Sequence, residues 1–141
     1  MALDHQPTFT AGSTGNIYGS TTGTTLNANT AVTETFNFGN SANASGTGLT
    51  GAAAIAGCLQ VLDFGGGTVA ATNGLQVQVY RSGDGGTTYS TIAYTAFVVG
   101  TVTSVTTAGD VDLEPGFYSV KLTNLDVTNA IKVALTLGTW A

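Results

Sequence analysis

Charge is what this chain has least of. Only 8% of its 141 residues are charged, and the basic ones are Arg81, Lys121 and Lys132. Soluble globular chains carry about 25% charged residues, so Thr, Ser, Asn and Gly must keep this surface wet. So few cations make a poor basic face for neutralising phosphates, which argues against nucleic acid as a partner. A net charge of −5 argues equally against an anionic membrane surface. Histidine is almost missing: His5 stands alone, in a stretch read below as an arm, so a Ser-His-Asp or Cys-His site has no base. Cys58 is the single cysteine, which excludes an intramolecular disulfide and a cysteine-ligated metal. Within Ile55–Leu59 it reads as a buried, inert thiol; the alternative, a reactive or intermolecular thiol, has nothing nearby to lower its pKa. No apolar run approaches the ~20 residues that span a bilayer, and Met1–Pro7 lacks the basic and apolar regions of a signal peptide. The expectation is a protein that is not an enzyme, holds no cofactor and is made in a cytosol.

What the chain does have is glycine, threonine and β-branched alternation. Twenty glycines point to short strands and tight turns rather than helices. Residues 1–15, with Pro7, Gly12 and Gly15, show little periodicity and read as an extended N-terminal arm, either loose or strapped across a neighbouring subunit. Residues 16–141 read as one domain, large enough to bury a core unaided. Asn16–Leu26 offers a marginal edge strand. In Thr30–Phe38 the residues Val32, Glu34, Phe36 and Phe38 share a side, which sets Glu34 at a sheet margin or buries it. Gly39–Gly51 is a long polar loop, and Ala52–Ala54 has room for one helical turn. Leu59–Phe64 is a strand closed by Gly65–Gly67; without a following lysine that triple glycine is no phosphate loop. Leu75–Arg81, Tyr89–Val99, Thr101–Thr106, Phe117–Thr123 and Ala130–Leu137 read as further strands. Tyr118, Val120 and Leu122 should point inward, as should Ile131, Val133, Leu135 and Leu137. The fold class expected is all-β, an antiparallel β-sandwich or jelly roll of roughly eight strands.

Two clusters concentrate functional groups. Ser82-Gly83-Asp84-Gly85-Gly86-Thr87-Thr88-Tyr89 sits between two strands, and its glycines and aspartate suit a turn; Asp84 is expected to cap its own loop and fix strand register. Asp110, Asp112 and Glu114 alternate on an extended segment and so point the same way. They are calcium candidates that lack the EF-hand spacing, and a solvated strand edge explains them as well. Glu34, Asp63 and the cluster near Asp112 are the carboxylates a glycosidase would pair, but the sequence does not bring them together. Tyr18, Tyr80, Tyr94 and Trp140 are natural core or interface residues that would also serve as stacking rings.

Ser82, Asp84, Gly86, Thr88 and Tyr89 resemble the Asp-box pattern Ser-x-Asp-x-Gly-x-Thr-aromatic, with Tyr89 where tryptophan is usual. That resemblance covers one turn, in one copy; it implies a structural hairpin and no sialidase activity. More broadly, Val79–Tyr89 and Pro115–Asp126, with the Thr/Gly/Ala-rich N-terminal half, look like small virion proteins of tailed bacteriophages, in the style of capsid decoration (cement) proteins. The resemblance implies a homo-oligomer, with a trimer expected, that sits on the capsid surface with the major capsid protein as partner and stabilises the shell. The alternative is a fibre, tail or adhesin-type module that binds glycans.

Overall fold

A computed structural model describes residues 16–18, 23–38, 56–65, 74–99, 106–114 and 116–140. The expected arm at 1–15, the 39–51 loop, the Ala52–Ala54 turn and most of the Thr101–Thr106 strand lie outside the described residues. Among the described residues there are nine strands and no helix: β1 (Asn16–Tyr18), β2 (Thr24–Leu26), β3 (Ala31–Phe38), β4 (Ala56–Gly65), β5 (Leu75–Ser82), β6 (Thr95–Val99), β7 (Thr106–Leu113), β8 (Gly116–Asn124) and β9 (Ile131–Trp140). The marginal Asn16–Leu26 strand is in fact two short pieces, both paired with β9. The acidic stretch through Asp110 and Asp112 belongs to a full strand, β7, that begins at Thr106.

All pairings are antiparallel, and the strands make two sheets, β1-β9-β4-β7 with β2 also on β9, and β3-β8-β5-β6. The pairs are nested: β5 lies on β6, β4 on β7, β3 on β8, and β2 on β9. The chain is thus one long hairpin folded over on itself, with β5–β6 at its tip. Pairings β4–β9 and β5–β8 close each sheet across the fold.

One apolar core joins the sheets, as alternation predicts for faces buried on one side. Leu26, Val61, Leu113, Ile131, Val133 and Leu135 come from the first sheet; Phe36, Leu75, Val77, Val79, Tyr118, Val120 and Leu122 come from the second. Burying each such side chain contributes about 1.5–3 kcal/mol. The one ion pair seen among the described residues, Arg81–Glu114 at 3.4 Å, is solvent-exposed and of a kind worth ~0–1 kcal/mol. Apolar packing between the sheets therefore holds the fold, and Glu34 sits half-buried at the margin of β3.

At one end of the sandwich the β2–β3 and β8–β9 crossings and the residue leading into β5 meet at Asn124-Leu125-Asp126. The Asn124 amide donates to the carbonyls of Leu26 (3.2 Å), Asn27 (3.2 Å) and Asn129 (2.9 Å), and its oxygen accepts the Asp126 N–H. Asp126, 2% exposed, accepts the N–H groups of Thr128 (2.8 Å) and Asn129 (2.6 Å), and its carbonyl accepts from Asn29. Leu125 N–H donates to the Gly74 carbonyl at the start of β5. These residues read in the sequence as a plain connecting turn, and the structure makes them a buried polar junction. A buried polar group left unpaired costs about 1–3 kcal/mol, and Asn124 serves three carbonyls. Asn124→Ala should therefore lose about 2–4 kcal/mol in urea unfolding. Asn124→Asp, which keeps the shape but turns an acceptor toward those carbonyls, should lose as much; a near-neutral result would show that the junction is held by packing alone.

Candidate functional site

The opposite end carries the tip of the long hairpin and the β7–β8 turn. Residues 83–94 link β5 to β6 without regular strand structure, so the strand expected from Tyr89 is confined to Thr95–Val99. The reason is a local detour. Ser90 N–H bonds to the Arg81 carbonyl at 2.9 Å and Tyr94 N–H to that of Val79 at 2.7 Å. Over that interval β5 advances two residues while the return segment advances four. The excess is pushed outward at Ile92, whose N–H and carbonyl both bond to the Ser90 hydroxyl. Register between β5 and β6 therefore follows from the Asp84 turn and this bulge together, rather than from the turn alone.

Inside the turn, Asp84 is the hub. Its Oδ1 accepts from Ser82 Oγ (2.7 Å), Thr87 N (3.1 Å) and Thr88 N (2.8 Å), and its Oδ2 accepts the Thr88 hydroxyl at 2.6 Å. Ser82 Oγ in turn accepts from Gly86 N at 2.8 Å. The Thr88 hydroxyl above all, then Thr88 N–H and Ser82, hold the Asp84 carboxyl far below its ordinary range. Gly85 and Gly86 have φ of 75° and 89°, the left-handed region glycine enters without strain. A Cβ at Gly86 would lie 2.9 Å from the Phe117 ring of β8, so the turn is seated on the second sheet. Tyr89 is half-buried, its hydroxyl close to Gly86. The carboxylate oxygens are occupied by the loop's own donors, and Ser82, Asp84, Gly86, Thr88 and Tyr89 form a self-contained turn.

Beside the turn, Arg81 lies between two rings, 5.7 Å from the centre of Tyr94 and 5.8 Å from that of Tyr118, positions that favour a cation over an aromatic face. Tyr118 donates its hydroxyl to the Glu114 carbonyl at 2.5 Å and stacks on Phe36 at 5.6 Å; burial pushes its phenol above the ordinary value, with Arg81 pulling the other way. Arg81, Glu114 and Tyr118 thus tie the β7–β8 turn to the hairpin tip. The sequence reading missed this cluster, since an arginine in an alternating strand carries no mark of its partners.

Asp112 is exposed on β7 opposite Cys58, Asp110 stands opposite Gln60, and Glu114 lies past the strand end, engaged by Arg81. Among the described residues no three His, Cys, Asp or Glu groups come together as a metal site. Cys58, Asp63, Asp110 and Trp140 are placed by backbone pairing. Tyr18 packs against the core, Tyr80 is half-buried, and Tyr94 is half exposed. No protein-family model matches the chain, and no curated protein matches its sequence.

Two measurements test the turn. Gly86→Ala forces a left-handed backbone and a ring clash and should cost about 1–3 kcal/mol; Gly83→Ala, with open space around its Cβ, should be near neutral in the same thermal melts. Asp84→Asn should lower Tm by a few degrees at neutral pH. Because the folded carboxyl is more acidic than the unfolded one, its stabilisation is complete above the unfolded value and fades as pH falls below it. The Tm gap between wild type and Asp84→Asn should stay constant above about pH 5, narrow below 3.8, and close only in strong acid.

Proposed function

We propose that this chain is a structural protein of a tailed-phage virion, a capsid decoration protein that binds the major capsid protein at the head surface as a homo-oligomer. The observation that carries this reading is the nested strand order of the two sheets, which we read as a jelly roll, an architecture used by viral capsid and lectin domains. The warrant is one of architecture, since folds host many functions. The surface chemistry supports it. Outward positions such as Thr33, Thr35 and Ala96 are exposed and uncharged, suited to packing on protein through small side chains and main-chain bonds. The mechanism is mass action. A protein that binds the expanded shell and not its precursor stabilises the expanded state, and many modest contacts per shell add up through multivalency.

The glycan-binding alternative rests on Tyr94, 50% exposed beside Arg81, an aromatic ring and a cation at the rim of the hairpin tip. Co-sedimentation with heads built from the major capsid protein of the same virus separates the two. Decoration predicts saturable binding to expanded heads and a raised head-disruption temperature. No binding, together with a glycan-array signal lost in Tyr94→Ala, would replace it with the adhesin reading.

A further inference from the structure

Strand edges invite other chains, because they present unpaired N–H and C=O groups, and proteins guard them with shortness, charge, proline or bulges. Three edges of this sandwich are guarded. β1 and β2, at one margin of the first sheet, have three residues each. β7, at the other margin, carries Asp110 and Asp112 and an irregular register against β4. β3, at one margin of the second sheet, carries Glu34 on its inward side. The fourth edge, β6, has none of these devices. Thr95-Ala96-Phe97-Val98-Val99 is regular against β5, contains neither proline nor charge, and exposes Val98 by 56%. Just before the strand, Ile92 and Tyr94 are also exposed, by 80% and 50%. From Gly85 to Gly109 the chain contains no charged residue, and among the described residues no strand pairs with the outer side of β6.

We infer that β6 is a homotypic docking edge, pairing antiparallel with β6 of a second copy about a twofold axis. Charge selects the occupant. Each copy carries −5, so two copies repel wherever carboxylates meet, as they would at β7, and approach most cheaply along the neutral edge. A basic or acidic partner, by contrast, finds nothing there to pair with. The edge is also self-complementary. A twofold centred on Phe97 sets exposed Ala96 opposite Val98 of the second copy and Thr95 opposite Val99, small against large, and joins the two four-stranded sheets into one. Such a contact is short compared with the ~1,600 Å² of a standard interface, so the dimer dissociates on dilution. This inference deepens the homo-oligomer part of the proposed function and needs no shell. It also departs from the expected trimer, because a twofold contact builds even-numbered assemblies.

The experiment is light scattering across a dilution series of the full chain. Wild type should pass from dimer to monomer. Val98→Lys and Ala96→Lys, both at exposed positions, should weaken the dimer by roughly tenfold or more, because each sets a charge against an apolar partner side chain and brings like charges to the diagonal positions, with unchanged thermal melts. Mixing Val98→Lys with Ala96→Glu, which face each other across the twofold, should restore it, and Thr33→Lys on the guarded β3 edge should have no effect. A monomeric wild type, a trimer, a dimer indifferent to Val98→Lys, or a dimer abolished instead by deleting residues 1–15 would each overturn the inference. Head co-sedimentation with Val98→Lys keeps the outcomes apart: heads bound by a monomeric variant preserve the decoration reading, and heads bound by neither form remove it whatever the oligomeric state.

Discussion

The amide of Asn124 is the bond set on which the rest of the structure turns. A sandwich made by folding a long hairpin over must pass its chain from one sheet to the other repeatedly. Each passage strips backbone groups from the ladders and has to satisfy them elsewhere. Here the β2–β3 and β8–β9 crossings and the residue that leads into β5 converge on one side chain and its two successors, which bond to Leu26, Asn27, Asn129 and Gly74. A polar group so placed specifies geometry more than it adds stability, because apolar side chains would fill the space without fixing which turns meet there. The apolar core supplies the larger share of free energy, and Asn124 decides how that core is enclosed.

The two ends of the sandwich divide the work. The Asn124 end is buried and bonded inward. The hairpin-tip end is solvent-facing and built from self-sufficient pieces: the Asp84 turn with its carboxylate fully engaged, and Arg81 held between Tyr94 and Tyr118. Neither piece leaves a polar group waiting for a substrate.

What the sequence disclosed follows from the range over which its signals act. Alternation is a local signal, and it located Leu75, Val77 and Val79, Tyr118, Val120 and Leu122, and Ile131, Val133 and Leu135 on inward faces. The Asp84 turn was legible too, because its donors lie within four residues of the acceptor. The strand start at Tyr89 was misplaced because β-branched composition records propensity and says nothing of a bulge, which depends on which carbonyl Ser90 and Tyr94 find across the ladder. Asn124 looks in sequence like part of any polar turn, since its partners at Leu26 and Asn27 lie nearly a hundred residues away, as does the Asn29 that bonds the Asp126 carbonyl. The nesting of strand pairs, and with it the exposure of β6, arises only once both sheets exist.

The pairing of β1 with β9 has a mechanical side. Asn16 lies across from Thr136 and Tyr18 from Leu135 in antiparallel sense, so the incoming and outgoing ends of the folded body point the same way from one seam. A force drawn between those ends loads the seam one hydrogen bond at a time, peeling it like a zipper instead of shearing it. A load spread across the faces of the sheets meets every ladder at once. The seam therefore yields in steps when its two ends are drawn apart, a directional weakness set by strand order alone.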